Sequence, residues 1–197
     1  MENKSLKGTQ TAQNLMISFA GECQARMRYT YAAKQAKKEG YVQIRDIFEE
    51  TARNEEEHAK RFYKFLREDF ESEEAINVNW DYPVVFSDTK ANLLGAANGE
   101  HEEFVDMYPK FADIAEEEGF AEIARVWRQI AKVEEAHEVR FRKLLANVEQ
   151  GRVFEREEEV LWKCDNCGYI YKGKKAPKLC PACAHPQEYF ELFVEAY

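Results

Sequence analysis

The sequence predicts a mainly α-helical protein. It indicates a four-helix bundle with a long crossover between helices 2 and 3, followed by a small metal-binding domain of strands and loops. Residues 11–148 are dominated by the helix formers Ala, Glu, Lys, Arg and Leu, and only Pro83 and Pro109 interrupt them. Beyond Gly151 the composition changes, and four of the five cysteines form two Cys-x-x-Cys pairs. We therefore expect a bundle over residues 1–150 and a second domain over residues 151–197.

Each helical segment has a recognisable start or stop. Gly40 and Gly119 follow the first and third segments, and glycine is the residue best suited to the left-handed conformation after a helix. Ser87 or Asp88 can cap the third segment. The polar stretch 68–86 is too long for a tight turn and suits a crossover along the side of a bundle. The four segments run, in order, over about residues 11–38, 41–67, 88–119 and 120–148.

The composition is that of a soluble, acidic protein. The 197 residues contain 28 Lys and Arg against 37 Asp and Glu, for a formal net charge of −9, and 45% are hydrophobic. An acidic chain without a Lys/Arg stripe repels nucleic acid phosphates. No apolar run approaches the roughly 20 residues of a membrane helix, and residues 1–13 are polar. We therefore expect a cytoplasmic protein that binds neither nucleic acid nor membranes.

The first two helical segments are repeated in the second two. Glu22 matches Glu100 at an offset of 78 residues, whereas the offset is 79 from the match of Tyr29 with Tyr108 onward. One extra residue therefore follows Glu100, and a helix absorbs a single extra residue most simply as a π-bulge. Pro109 lies just beyond, and we expect it to kink the helix or break it locally.

Each half ends in a segment whose apolar stripe contains a Glu-x-x-His pair. Glu55 and His58 in the second segment, and Glu134 and His137 in the fourth, continue rows of apolar residues spaced three or four apart. Because residues at this spacing share one face of a helix, both pairs are predicted to project into the core.

Two more carboxylates, Glu22 and Glu100, continue the apolar stripes of the first and third segments at the same level. Burying ionised carboxylates without compensation costs roughly tens of kcal/mol, against the 5–15 kcal/mol that stabilise a domain. The alternative is that these groups are solvated or salt-bridged residues on the helix surface. That alternative has to explain why the Glu-x-x-His pair occurs twice, at repeat-related positions and both times on an apolar stripe. Four-helix bundles with Glu on two helices and Glu-x-x-His on the other two form di-iron or di-manganese sites, and zinc also suits such ligands.

Four further residues border this predicted site. Glu103 lies one turn beyond Glu100 and is a candidate fifth carboxylate, although a solvated position fits its spacing nearly as well. Tyr29 and Tyr108 are either hydrogen-bond donors to the carboxylates or ordinary core tyrosines. Cys23 has no partner at ligand spacing and is interpreted as a small buried residue or a free thiol.

The C-terminal cysteines predict a second metal site. Four thiolates from two such pairs form a tetrahedral site suited to zinc or to a single iron. The segment is too short to fold on its own core, so the metal is expected to supply folding energy. The spacing does not choose the metal, and a zinc ribbon remains the alternative. The four cysteines are Cys164, Cys167, Cys180 and Cys183.

These motifs, in this order, resemble those of the rubrerythrin family. The resemblance rests on GECQAR around Glu22, EEEHAKRF around Glu55, GEHEEF around Glu100 and EEAHEVRF around Glu134. WKCDNCGY and CPACAHP are similar to the metal-binding sequences of rubredoxin. The resemblance implies a ferritin-like bundle, a C-terminal rubredoxin-like domain, and assembly as a head-to-tail homodimer.

The resemblance also implies an activity and a set of ligands. The activity is the reduction of hydrogen peroxide to water at a non-haem di-iron centre, in defence against oxidative stress. The electron donor is expected to be a separate rubredoxin or NAD(P)H-dependent reductase, because the chain has no Gly-x-Gly-x-x-Gly motif. The implied di-iron ligands are Glu22, Glu55, His58, Glu100, Glu103, Glu134 and His137, and the implied single-iron ligands are Cys164, Cys167, Cys180 and Cys183.

Two other functions fit parts of the sequence. The same bundle would serve a ferroxidase or iron-storage protein, which would load more iron than its fixed sites hold. A zinc-ribbon adaptor on a metal-stabilised bundle would not be an enzyme at all. Colour distinguishes this second alternative, because a ferric thiolate site is red and a zinc thiolate site is colourless.

Overall fold

The structure, a computed structural model, describes residues 4–70 and 74–195. These residues form the predicted bundle, in which helices α3 and α4 are joined end to end by a π-helical turn, Glu103–Met107, and act as one rod. The predicted fold class and the long connection between the second and third rods are confirmed. The helices are α1 (Gln10–Lys38), α2 (Val42–Asp69), α3 (Thr89–Glu102), α4 (Tyr108–Glu117) and α5 (Ala121–Glu149).

The helix ends follow from the local sequence. The side chain of Thr9 accepts a hydrogen bond from the backbone of Ala12 at the start of α1, and Asp88 accepts one from Ala91 at the start of α3. Gly40 and Gly119 adopt φ values of +81° and +83° just after α1 and α4. Because that conformation is strained for other residues, the two glycines end the helices where the sequence predicted.

The π-helical turn confirms the bulge that the repeat offset predicted. It begins three residues after Glu100 and ends at Met107, directly before α4. The backbone stays helical through Glu103 (φ −64°, ψ −45°) and Tyr108 (φ −68°, ψ −38°), so Pro109 does not break the rod. A prolyl ring collides with the carbonyl four residues earlier in a regular α-helix. The wider π turn lies where that collision would occur.

Two apolar clusters fill the bundle, one toward each end. One contains Leu15, Phe62, Phe111 and Trp127, and Trp127 Nε1 donates a hydrogen bond to Ser18 Oγ at 3.0 Å. The other cluster includes Tyr29, Phe48, Leu93, Phe141 and Leu144. Glu22, Glu55, Glu100 and Glu134 lie between the two clusters along the helices, so apolar packing encloses them at both ends.

The connection before α3 lies along the bundle as predicted. Tyr82 Oη donates a hydrogen bond to the carbonyl of Ile17 at 3.1 Å, and the rings of Trp80 and Phe111 meet edge to face with centroids 5.7 Å apart. Val85 packs against α3 at Gly95, where a Cβ would lie only 2.7 Å from Val85 Cγ1. Glycine is therefore required at this position for the connection to lie against the helix.

The C-terminal domain is a small antiparallel sheet with strand order β2-β1-β3. Its core contains Trp162 and Phe190 together with Cys164 and Cys180. The strands are β1 (Glu155–Cys164), β2 (Ile170–Lys175) and β3 (Phe190–Leu192), with a 3₁₀ helix over Gln187–Tyr189.

This domain contacts the end of the bundle at the start of α2. The rings of Tyr41 and Phe154 stack with centroids 6.4 Å apart, and Arg45 Nη2 lies 3.8 Å from Asp165 Oδ2. Within the described ranges, no helix is long and apolar enough to cross a bilayer.

We predict that Gly95→Ala lowers the free energy of unfolding by about 1 kcal/mol. Alanine in place of glycine normally stabilises a helix by roughly 0.5–1 kcal/mol, but overpacking costs about 1–3 kcal/mol. Urea unfolding measures the change. In a Val85→Ala background the obstruction is gone, so Gly95→Ala should stabilise there. Stabilisation in both backgrounds would contradict the packing described.

Candidate metal centres

Four helical rods bring six predicted ligands to one level of the bundle. Glu22 comes from α1, Glu100 from α3, and the two Glu-x-x-His pairs from α2 and α5. The four carboxylates are 0–2% exposed, so bulk water cannot solvate their negative charges. His137 is also buried, whereas 13% of the His58 side chain is exposed. The predicted burial of these groups is therefore correct.

The six side chains form two groups that share two members. In each group, one ligand atom from every residue lies within 4.8 Å of the others. Glu55 and Glu134 belong to both groups, so their two oxygens face different neighbours. The first group is Glu22, Glu55, His58 and Glu134, and the second is Glu55, Glu100, Glu134 and His137.

Each imidazole faces three carboxylates, in nearly the same way. His58 Nδ1 lies 2.9 Å from Glu55 Oε2, 3.0 Å from Glu134 Oε1 and 3.7 Å from Glu22 Oε1. His137 Nδ1 lies 2.9 Å from Glu134 Oε2, 3.3 Å from Glu55 Oε1 and 3.7 Å from Glu100 Oε2. The repeat in the sequence thus appears as approximate symmetry in the site.

Several buried ligand atoms of the site have no hydrogen-bond partner. Glu134 uses neither oxygen in a hydrogen bond, and His137 Nδ1 also has no partner. The same holds for Glu22 Oε2, Glu55 Oε1 and Glu100 Oε2. Unpartnered buried carboxylate oxygens are costly, and convergent carboxylates and imidazoles are the donors that iron and manganese take in such bundles. The residues present therefore fit a pair of metal ions.

Without a metal, the groups of the site strongly affect one another's protonation. Burial, followed by the charge of Glu134, raises the pKa of Glu22 well above its ordinary value. Burial and the charge of Glu55 raise the pKa of Glu100 to about 8. Burial lowers the pKa of His58, but the close approach and negative charge of Glu134 and Glu55 outweigh it and raise that pKa to about 10. Burial also lowers the pKa of His137, but Glu100, Glu134 and Glu55 outweigh it and raise that pKa to about 12.

Tyr29 and Tyr108 each hydrogen-bond a carboxylate of the site. Tyr108 Oη donates to Glu22 Oε1 at 2.5 Å, and Tyr29 Oη donates to Glu100 Oε1. Each tyrosine thus reaches from one half of the repeat to the carboxylate of the other. Burial raises the pKa of both phenols well above 10, so both keep their protons and act as donors.

Glu103 belongs to neither group of ligand atoms. It is partly buried at the first position of the π-helical turn, and it lines a cavity of about 40 Å³ together with Arg28, Gln24 and Tyr82. In the repeat its counterpart is Ala25, so this carboxylate exists in one half only. Burial and the charges of neighbouring carboxylates raise its pKa.

The sequence did not indicate that Arg28 lies beside Glu103. Arg28 is six residues from Glu22, a spacing that puts it on no common helix face with the ligands. Its position depends on how α1 and α3 pack and on where the connection lies.

Cys23 is a partly buried free thiol outside both ligand groups, and burial raises its pKa.

The four cysteines of the second domain form a compact cluster. Cys164 Sγ lies 3.8 Å from Cys183 Sγ, and Cys167 Sγ lies 3.7 Å from Cys180 Sγ. A tetrahedron with metal–sulfur bonds of ~2.3 Å has edges of about 3.8 Å, so the sulfurs are spaced for a metal and not for disulfides. The backbone N–H of His185 hydrogen-bonds Cys183 and lowers its pKa to about 6, which favours the thiolate.

The two histidines outside the ligand sets have local roles. His101 is exposed, and its Nδ1 lies 3.0 Å from Glu138 Oε2. His185 is partly buried, and its ring meets that of Tyr189 edge to face at 4.7 Å.

Comparison with known proteins gives consistent results for both parts of the chain. The rubrerythrin family model matches residues 13–145, and the model for the rubredoxin-like domain of rubrerythrin matches residues 162–191. The chain is 62% identical over 195 residues to the rubrerythrin of Clostridium perfringens, a match covering 98% of this chain and 100% of the relative. It is 54% identical over 190 residues to the rubrerythrin of Nitratidesulfovibrio vulgaris, covering 96% of this chain and 97% of the relative.

Solved structures agree with this. The structure of nigerythrin in its fully reduced, all-ferrous state is similar to this one, with a TM-score of 0.62 and 30% identity. The match covers 96% of this chain and 92% of the nigerythrin chain. The bacterioferritin of Desulfovibrio desulfuricans matches 73% of this chain and 82% of its own, with a TM-score of 0.64 at 18% identity. At that identity the second likeness establishes only the ferritin-like fold.

We predict that Glu55→Ala and Glu134→Ala each abolish metal binding in the bundle, because each residue belongs to both ligand groups. Metal analysis should find the bundle empty and the four-cysteine site still occupied. Glu138→Ala, one helical turn from Glu134 and outside both groups, is the matched control and should keep both sites loaded. Full loading of the bundle in both Glu variants would refute the assignment.

We also predict that the metal-free protein loses stability as pH rises from 6.5 to 8. In this range the folded chain keeps protons on Glu100, His58 and His137 that the unfolded chain releases, because folding raises their pKa values. The free energy of unfolding therefore falls with pH. Urea unfolding of the metal-free protein at the two pH values tests this.

The control for this pH effect is Glu100→Gln, which should show a shallower decline in its metal-free form. Metal-loaded protein, whose ligands are already deprotonated, should lack the decline. A urea midpoint that stays constant or increases with pH in the metal-free protein would contradict the assignment.

Proposed function

The chain belongs to the rubrerythrin family, and from that premise we propose that it is a non-haem di-iron peroxidase that reduces hydrogen peroxide to water. The observation that carries the proposal is the presence, in one chain, of a buried centre of four carboxylates and two imidazoles and a separate four-cysteine cluster. The first suits two-electron chemistry, and the second suits single-electron transfer. We further propose a cytoplasmic role in oxidative-stress defence.

We propose specific ligands for each iron. Glu55 and Glu134, which belong to both groups, would be shared by the two ions, and each ion would also be held by one further carboxylate and one imidazole. The terminal pairs are Glu22 with His58 and Glu100 with His137. The single iron is held by Cys164, Cys167, Cys180 and Cys183. With this assignment goes the division of the chain into a bundle over residues 1–150 and a rubredoxin-like domain over residues 151–197.

The iron pair supplies the two electrons that cleave the O–O bond of hydrogen peroxide, and two protons complete two water molecules. The protein's part is to hold the ligands and exclude water. Tyr29 and Tyr108 orient the terminal carboxylates through their hydroxyl protons, which burial keeps on Oη. The two apolar clusters keep bulk water from the site at both ends of the bundle.

Glu103 and His58 exchange as ligands in this proposal. Two ferrous ions carry four positive charges, which the four carboxylates of the two groups balance, so Glu103 stays off the metal. Oxidation adds two positive charges to a buried site, where an anionic ligand gains over a neutral imidazole. Glu103 would then hold the oxidised metal in place of His58, the more exposed of the two histidines.

The four-cysteine site relays electrons from a separate donor. Because the sequence contains no dinucleotide fingerprint, we propose a rubredoxin or an NAD(P)H-dependent reductase for that role. An iron-storage function, the second candidate, gives no purpose to an electron relay within the chain.

The test is anaerobic reduction of the iron-loaded protein, followed by one equivalent of hydrogen peroxide per di-iron pair. The visible spectrum and iron quantification are the readouts. A peroxidase oxidises both ions of the pair rapidly and can be reduced and oxidised again through many cycles. Slow oxidation, with uptake of iron beyond the fixed sites, would support storage and overturn the peroxidase proposal.

We predict that electrons cross between two chains of a head-to-tail homodimer. The cysteine domain contacts α2 near Arg45, and Glu55 lies ten residues further along that helix, about 15 Å at 1.5 Å per residue. A reciprocal dimer can place each four-cysteine site beside the partner's carboxylates, which shortens the path.

Complementation measures this. One variant lacks the di-iron site (Glu55→Ala with Glu134→Ala), and the other lacks the cysteine site (Cys164→Ser with Cys180→Ser). Each homodimer should be inactive with the donor, and the purified heterodimer should regain about half of the wild-type turnover. A heterodimer with fully loaded surviving sites and no turnover would place the transfer within one chain.

A further inference from the structure

A small polar cavity lies between α1, the π-helical turn and the connection that precedes α3. It measures about 40 Å³, room for one or two molecules of the size of water. Tyr82 and Pro83 of the connection cover it, and Gln24, Arg28 and Glu103 contribute charged and polar groups. The cavity borders the carboxylate site, but none of the six residues of the two ligand groups lines it.

Arg28 is held in this cavity by its neighbours. Its Nε donates a hydrogen bond to Gln24 Oε1 at 2.6 Å, and its guanidinium lies over the ring of Tyr29, 5.5 Å from the centroid. Gly99 on α3 borders the guanidinium, and a Cβ there would lie at an ordinary contact distance of 3.8 Å from Arg28 Nη2. Among the described residues, no carboxylate oxygen lies within 4.0 Å of the guanidinium. Its outer nitrogens therefore have unused donors.

Three carboxylates line this cavity, those of Asp81, Glu102 and Glu103, and Glu103 is the one whose negative charge Arg28 stabilises. Arg28 and Glu103 line the same small cavity, so their side chains face a common space. The surrounding carboxylates oppose a charge on Glu103, and Arg28 is the cation that acts against them. Guanidinium and carboxylate form strong, often bidentate, hydrogen bonds.

We propose that Arg28 is a positioning residue that receives the Glu103 carboxylate whenever Glu103 is off the metal. The inference rests on the proposed exchange of Glu103 and His58. Arg28 thereby stabilises the reduced arrangement, in which Glu103 is unbound. Its loss shifts the reduced protein toward the Glu103-bound form by roughly ten- to a hundredfold, the range expected of one charge-assisted hydrogen bond.

The test compares Arg28→Gln with Arg28→Lys, at equal iron content, in two readouts. Crystals of the dithionite-reduced protein should show Glu103 turned toward Arg28 in the unaltered chain and toward the metal in Arg28→Gln. The midpoint potential of the iron pair should fall in Arg28→Gln. The substitution destabilises the reduced state, in which Arg28 holds unbound Glu103, but not the oxidised state, in which Glu103 is bound to the metal. In Arg28→Lys the midpoint potential should fall less than in Arg28→Gln. Arg26→Gln, a matched change on the same helix whose partner is Glu56, should leave the potential unchanged.

A double-mutant cycle separates this role from a general charge effect. In a Glu103→Gln background, Arg28→Gln should change the potential no more than Arg26→Gln does. An equal shift in both backgrounds, or an unchanged Glu103 orientation in Arg28→Gln, would overturn the proposal. Peroxide turnover of the unaltered protein is measured separately, so failure of the peroxidase function is distinguishable from failure of the Arg28 role.

Discussion

The burial of four carboxylates at one level of a helical bundle is the constraint on which the rest of the molecule depends. Two apolar clusters enclose them, and their uncompensated charge would cost more than a domain's whole stability. Positive charge therefore has to compensate them, from metal ions when the site is loaded and from protons on the carboxylates and histidines when it is not. The hydrogen bonds of Tyr29 and Tyr108 and the shared positions of Glu55 and Glu134 all serve to arrange oxygens around those cations.

The two halves of the bundle are nearly symmetric, and their difference bears on function. The imidazoles meet their carboxylates at almost the same distances, and the tyrosines cross between the halves. One extra residue in the third rod produces the π-helical turn, and a carboxylate, Glu103, occupies the position that Ala25 has in the first half. The repeat thus supplies the two similar halves of the centre, and the insertion places one further carboxylate beside it, the one that our proposal treats as a ligand that moves.

Much of this was predictable because it depends on periodicity and spacing. The Glu-x-x-His stripes fix which face of each helix carries the ligands, the offset of the repeat locates the π turn, and the cysteine pairs predict their cluster. The sharing of Glu55 and Glu134 was not predictable, because it depends on how α2 and α5 cross. The cavity beside Glu103 depends on where the connection lies, and no local sequence pattern indicates that Val85 packs on Gly95 or that Tyr82 and Arg28 line one cavity.

The most direct test counts the cations that the buried carboxylates require. Calorimetric titration of the metal-free Cys164→Ser, Cys180→Ser protein with ferrous iron, under anaerobic conditions and in buffers of different ionisation enthalpy, gives both the stoichiometry and the protons released. The prediction is two ferrous ions per chain, with protons released on binding because Glu22, Glu100 and the histidines hold them in the metal-free state. Binding of a single ion, or of two ions without proton release, would contradict a bundle built around a pair of cations.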